Sequence, residues 1–190
     1  VYTVPEGSVV PQISAPISMP VLRSLWIGRS PSLCSSATLI MLARETKALT
    51  ELTLTYSTLI PVNILCVAVH KFSLRRLWLP GCSQVTDRLL NTITDSPKAS
   101  LLQELCIESP SITDEAVLKM LAVSPNLMNV RFSGCTQLSG AVVAAMKLPL
   151  LEILCVRDLA SGLDAHIESL VQHSPRLHVL DVRGWHMLSD

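Results

Sequence analysis

Three stretches of this chain spell nearly the same phrase. Residues 74–87 read LRRLWLPGCSQVTD, residues 127–140 read LMNVRFSGCTQLSG, and residues 177–190 read LHVLDVRGWHMLSD. Each has an apolar residue at places one, four and six. Each has glycine at place eight (Gly81, Gly134, Gly184) and an apolar residue at place twelve (Val85, Leu138, Leu188). A recurring phrase constrains a chain more than composition does, because every copy must take the same local shape and pack on its neighbours. The shorter signature at places one, four and six recurs seven times: Leu22/Leu25/Ile27, Leu49/Leu52/Leu54, Leu74/Leu77/Leu79, Leu102/Leu105/Ile107, Leu127/Val130/Phe132, Leu151/Leu154/Val156 and Leu177/Leu180/Val182. First positions at 22, 49, 74, 102, 127, 151 and 177 lie 24 to 28 residues apart.

The content of one unit is readable from its chemistry. Places four and six alternate with other side chains, the period of a short strand with one buried face. A glycine or proline turn follows, then a polar helix starter: Thr86-Asp87, Thr113-Asp114, Ser139 or Ser189-Asp190. Such side-chain oxygens accept the orphan N–H groups of a first helical turn. Apolar-patterned runs such as 115–124 and 164–173 predict short helices, and 57–73 predicts one beginning after Pro61. Pro20, Pro97, Pro125, Pro149 and Pro175 close the units, since proline disfavours helix at itself and at the residue before it. No unit of strand, turn and helix can bury both its elements alone, but a stack can. This is the leucine-rich repeat pattern. The expected fold is an α/β solenoid, or horseshoe, with parallel strands on the concave face and helices on the convex face. About seven repeats occupy residues 21–190, the last one truncated, so the chain is expected to continue. Residues 1–20, with four prolines, read as an atypical preceding repeat or an extended cap.

Composition sets the function classes. The chain is 49% hydrophobic and 16% charged, so it is a folding sequence rather than a disordered one. Fifteen basic and fifteen acidic residues cancel, which gives no net field toward nucleic acid or an anionic membrane. The longest apolar run, Leu59 to Val69, is broken by Pro61 and Asn63 and falls short of the roughly 20 residues a membrane span needs. No signal peptide is visible at the start. Phosphate-binding, zinc-protease and serine-hydrolase motifs are absent, and no catalytic, cofactor or metal site is expected. His166 and His173 share one predicted helix without a third ligand, and His178 and Asp181 make no catalytic arrangement with a serine. The cysteines follow the repeat period and contain no C-x-x-C pair. They read as packing positions in a reducing compartment, so the expected localisation is cytoplasmic or nuclear.

Cys82 and Cys135 stand at place nine, followed by SQVTD and TQLSG, and helices end in SPN, SPR or SPKAS. That combination resembles the cysteine-containing leucine-rich repeats of the F-box family. The likeness covers residues 20–190 and is strongest in the units at Leu74, Leu102 and Leu127. Place nine departs from it as Ser30, Ser57, Pro110, Leu159 and Trp185. The asparagine ladder of extracellular repeats is absent. The resemblance implies a non-enzymatic module that binds a protein partner, like the substrate-binding repeats of a ubiquitin ligase receptor. Cullin-type ligase subunits would then dock through a segment outside this chain, which contains no F-box. It also allows a ligase-independent scaffold or adaptor, or a small-ligand sensor like the plant hormone receptors. A monomer is expected, without a cofactor.

Alternation assigns the open face. Places three, five and seven point out of the concave sheet. Place five runs Trp26, Thr53, Trp78, Cys106, Arg131, Cys155, Asp181. Tryptophan and arginine are enriched among interface anchors. The candidate partner-binding residues are therefore Trp26, Arg76, Trp78, Glu104, Arg131, Arg157 and Arg183, with an aromatic half (Trp26, Trp78) and an arginine half (Arg76, Arg131, Arg157, Arg183). The alternative is that these are ordinary exposed residues, the arginines paired with Glu104, Glu108 or Asp181. Cys82 and Cys135 are expected to be buried at the turn. Cys106 and Cys155 are expected to look out, about 10 Å apart by strand spacing and so unbridged.

Overall fold

A computed structural model describes residues 20–28, 36–158 and 164–184. Each signature becomes a strand: β1 (Ser24–Gly28), β2 (Glu51–Thr55), β3 (Arg76–Leu79), β4 (Glu104–Glu108), β5 (Asn129–Ser133), β6 (Ile153–Val156) and β7 (Val179–Asp181). The seven form one parallel sheet in chain order. Helices alternate with them: α1 (Ser36–Glu45), α2 (Val62–Lys71), α3 (Asp87–Thr94), α4 (Asp114–Ala122), α5 (Gly140–Ala145) and α6 (Asp164–His173). Each helix packs beside the next to form the second, convex layer. The fold is a leucine-rich-repeat α/β solenoid. Residues 1–19 and the helix start at Ser189-Asp190 lie outside the described residues, as do Ser30, Cys34, Leu159, Trp185 and His186.

The core lies between the layers and is made by places four and six. From β2 to β6 these are Leu52, Leu77, Leu105, Val130 and Leu154, and Leu54, Leu79, Ile107, Phe132 and Val156, all 1% exposed or less. At β7 the order weakens: Leu180, a place-four residue, is 36% exposed. The sequence pattern treats it as core, but its described neighbours cover it from the β6 side alone.

Helix starts follow a rule that joins the repeats. Asp87 accepts the Thr113 N–H and hydroxyl, both at 2.8 Å. Asp114 does the same for Ser139, with the N–H at 2.8 Å and the hydroxyl donating to the second carboxylate oxygen. Thr113 and Ser139 in turn cap their own helices, accepting from the N–H of Ala116 and Ala141. The Thr-Asp pair is thus half cap and half bridge to the next unit. Thr86 corrects the expectation that every starter caps, since its side chain accepts no helix N–H. The position that would hold its hydroxyl, at the start of α2, is Val62.

The turn after each strand explains the glycines. Place eight is left-handed in five units: Tyr56, Gly81, Gly134, Asp158 and Gly184 have φ of 52°, 67°, 59°, 56° and 80°. The N–H there reaches forward into the next repeat. Tyr56 donates to the Pro80 carbonyl at 2.9 Å, Asp158 to the Arg183 carbonyl at 3.3 Å, and Gly81 to the Glu108 carboxylate at 2.9 Å. A methyl at Gly81 would stand 2.3 Å from the Tyr56 ring, so this glycine is required by both conformation and space. Tyrosine and aspartate bear the left-handed strain, of order 1–3 kcal/mol each, where the neighbouring glycine receives their side chains.

Candidate functional site

The register makes the open face a grid. Trp26, Thr53, Trp78, Cys106, Arg131, Cys155 and Asp181 face one another strand by strand along place five. Ser24, Glu51, Arg76, Glu104, Asn129, Ile153 and Val179 form place three beside it. Every candidate residue named from the sequence is among the described ones. The alternation argument assigned their rows because strand neighbours in a parallel sheet share a face.

The first half of the face is an aromatic patch set in carboxylates. Trp26 is 56% exposed on β1. Trp78, two strands on, is half-buried under two guanidiniums: Arg76 lies 5.8 Å and Arg131 5.6 Å from its ring centroid. Its indole Nε1 is buried and meets no acceptor among the described residues. An unmet buried donor carries a cost of about 1–3 kcal/mol, against which two cation–π contacts return about 0.5–1 kcal/mol each. Arg76 does not belong with the later arginines, as the grouping into halves had it. It sits beside Trp78, held between Glu51 (Nη1, 3.2 Å) and Glu104 (Nε, 2.9 Å; Nη2, 2.6 Å). The hydrogen bonds that it donates to Glu104 raise its already high pKa. Ser24 extends this row by donating to Glu51 at 2.8 Å.

The second half is basic. Arg157 and Arg183 share one carboxylate, Asp181. Hydrogen bonds from Arg183 first, then Arg157, hold that carboxyl well below the usual carboxylate range. Arg131 donates to the neutral Asn129 side chain at 3.0 Å and spans the β4 strand to reach Trp78. The pairing alternative therefore holds for Arg76, Arg157 and Arg183. For Arg131 no carboxylate partner is found among the described residues. Glu108 pairs with none of them and instead receives the Gly81 N–H.

The cysteines divide differently from expectation. Cys82 and Cys135 are fully buried at the turn, and their thiols donate back to the Leu54 and Ile107 carbonyls of the preceding unit. Cys106 is half-buried, between Trp78 and Arg131 in the register. Cys155 lies on the same open-face row but is covered, at 4% exposed. It is a short side chain between longer ones, Arg131 on β5 and the Asp181 cluster on β7, which leave it little free surface. The five described cysteines are free thiols. Sequence reasoning named Glu104 as a possible partner for the arginines and missed Glu51 on the other side of Arg76. The alternating Glu51, Arg76, Glu104 signs along place three were a readable signal for it.

Elsewhere the structure offers little room. A half-open hollow of about 20 Å³ lies at the edge of the core, lined by residues such as Phe72, Leu77, Ile93, Leu102 and the partly exposed Lys98, space for a single water. Among the described residues no three His, Cys, Asp or Glu side chains converge as metal ligands, and no helix is long and apolar enough to cross a membrane.

No known family profile matches this chain, and no curated protein does. Among solved structures, 28 chains match. One belongs to the Rad7 and Elc1 complex of yeast, at a TM-score of 0.45 and 14% identity. The match covers 89% of this chain and 65% of that one, so the present chain spans less than two thirds of its length. The fold assignment stands on the sheet and helix order described above.

Proposed function

We propose that this chain is a non-enzymatic recognition module that binds a protein partner on the concave sheet face. The observation that carries the reading is one row of that face. It bears an exposed tryptophan, Trp26, and two strands away a second, Trp78, whose buried indole N–H meets no acceptor among the described residues. An aromatic on an open face has no core to fill, and large aromatics beside arginines are what interface centres are made of. A partner that shifts Arg131 from Trp78 would supply the missing acceptor and bury Trp26 together. Substrate reception for a ubiquitin ligase is the finer form of the proposal. It rests on the resemblance of Cys82, Cys135 and the Thr-Asp starters to the F-box repeat.

The test is to purify the full-length natural protein from its own cells beside Trp26→Ser and Arg131→Glu variants. A bound protein present with the native form and lost with both folded variants supports concave-face recognition. A partner retained at full occupancy by both refutes it. Cullin-type ligase subunits retained in all three would support the ligase form, and their absence would end it.

A further inference from the structure

Charge is not spread evenly over the open face. On β2 to β4, Glu51 and Glu104 share the single guanidinium of Arg76, and Glu108 has a backbone N–H rather than a cation. On β5 to β7, Arg157 and Arg183 share the single carboxylate of Asp181, and Arg131 has a neutral amide and an aromatic ring. By formal charge, among the described residues, one half is left with two uncompensated negative charges and the other with two positive ones. Asp158 stands outside this count, in the turn beyond β6 with its carboxylate over Gly184. Arg23, Arg75 and Glu152 occupy place two, off the open-face rows by the same alternation that sets them, and are outside the count as well. The division is hidden in the composition, where fifteen charges of each sign cancel.

We infer that the partner is a protein segment whose own charge is divided: basic residues over Glu104 and Glu108, acidic residues over Arg131, Arg157 and Arg183. The inference rests on the concave-face reading and specifies its ligand. A uniform polyanion such as a nucleic acid would gain on one half and lose on the other, because like charges brought together across an interface cost binding energy. The dimensions fix the spacing. From β4 to β7 is three strand intervals, about 14 Å at roughly 4.8 Å each. An extended segment crossing the strands at about 3.3 Å per residue covers that in about four residues. The basic and acidic groups should therefore stand about four residues apart. The apolar side chain for the tryptophans should lie on the basic side.

Two fluorescein-labelled twelve-residue peptides test this. Both contain four lysines, four aspartates, two leucines and two serines, with zero net charge. In one the lysines and aspartates form separate blocks, and in the other they alternate. Anisotropy titration at low and at physiological salt should show the blocked peptide binding about tenfold tighter at low salt, with the difference narrowing as salt is added. The preference should vanish in an Arg131→Gln, Arg183→Gln double variant and persist in the matching double lysine variant. Equal binding of the two peptides, binding of neither, or tighter binding of a single-stranded oligonucleotide would each overturn the charge division. Equal binding that is still lost in Trp26→Ser leaves concave-face recognition standing and removes the charge inference alone. If neither peptide binds and the natural partner survives Trp26→Ser and Arg131→Glu, both readings fall.

Discussion

The two faces of the same strands follow different rules. At places four and six the residues from β2 to β6 are all aliphatic or Phe132, and all are closed to solvent. One position over, at places three and five, the same strands carry Glu51, Thr53, Arg76, Trp78, Glu104, Cys106, Asn129, Arg131, Ile153 and Cys155. Both sets lie on the same strands of one parallel sheet, so the contrast is one of side chains and what covers them. The inner face is uniform because each residue must fill the space left by the unit before it. The outer face has no such neighbour above it, and there the chain is free to differ from unit to unit. What differs between repeats is where recognition can be written.

The contrast breaks most sharply with a cut into the inner face. Leu105→Ala should cost about 3 kcal/mol, the range for a buried leucine truncated to alanine. It removes the middle of a row in which Leu77 and Val130 flank Leu105 on either side. Because each repeat leans only on its neighbours, the urea transition followed by circular dichroism should also broaden as the stack divides. Arg131→Gln, on the outer face of the adjacent strand, should cost no more than about 1 kcal/mol, the upper end of its contact with Trp78. Equal losses from the two would show that the faces are not energetically distinct.

A smaller effect is expected where the repeats are stitched together at their helix starts. Asp114 accepts both the N–H and the hydroxyl of Ser139 from the following unit. Asp114→Ala should cost about 1–2 kcal/mol, from two donors left unpaired and a cap set loose. Asp114→Asn keeps one acceptor oxygen and should lose less. Amide exchange should quicken first in α5, the helix that Ser139 starts, and a loss confined to α4 would contradict the bridging role.

These two cases show what was legible in the sequence. The rows were, because a period of two fixes which residues share a face and a steady repeat length fixes which strands are neighbours. Trp26, Trp78 and Arg131 fell in register on that basis alone. Asp114 was read as part of a helix start, which is half its role; the other half joins residues 25 apart and has no local signature. Tyr56 and Asp158 carried no sign of their left-handed backbone, since the glycine that announces it in Gly81 is missing there. Arg76 was placed on the right row and grouped with the wrong neighbours, because a long side chain's partner depends on which way it leans along the row. Cys155 was assigned the right direction and the wrong exposure for the same reason: the cover comes from side chains of other strands.

The finest test of the two faces uses a pair of thiols. Cys106 lies on the outer face and Cys135 at the buried turn, yet burial pushes both up to about 11. At Cys106 the guanidinium of Arg131 pulls the other way and Glu108 adds to the rise. Only the thiolate reacts with iodoacetamide. A thiol raised to that value has roughly a hundredfold less thiolate near neutral pH than an ordinary one. Peptide-resolved mass spectrometry should find both slow at pH 7.5. The Cys106 rate should climb about tenfold per pH unit toward 11. Glu108→Gln removes a charge that raises the Cys106 pKa, so the thiol should react severalfold faster at a given pH. The two cysteines should part when the core is loosened. Cys135 is fully buried and must wait for the stack to open, so Leu105→Ala should speed its labelling while leaving Cys106, already half-open, nearly unchanged. Parallel acceleration of both would mean that Cys106 is guarded by the same opening as the core, and that the outer face is closed at its centre until a partner draws Arg131 aside.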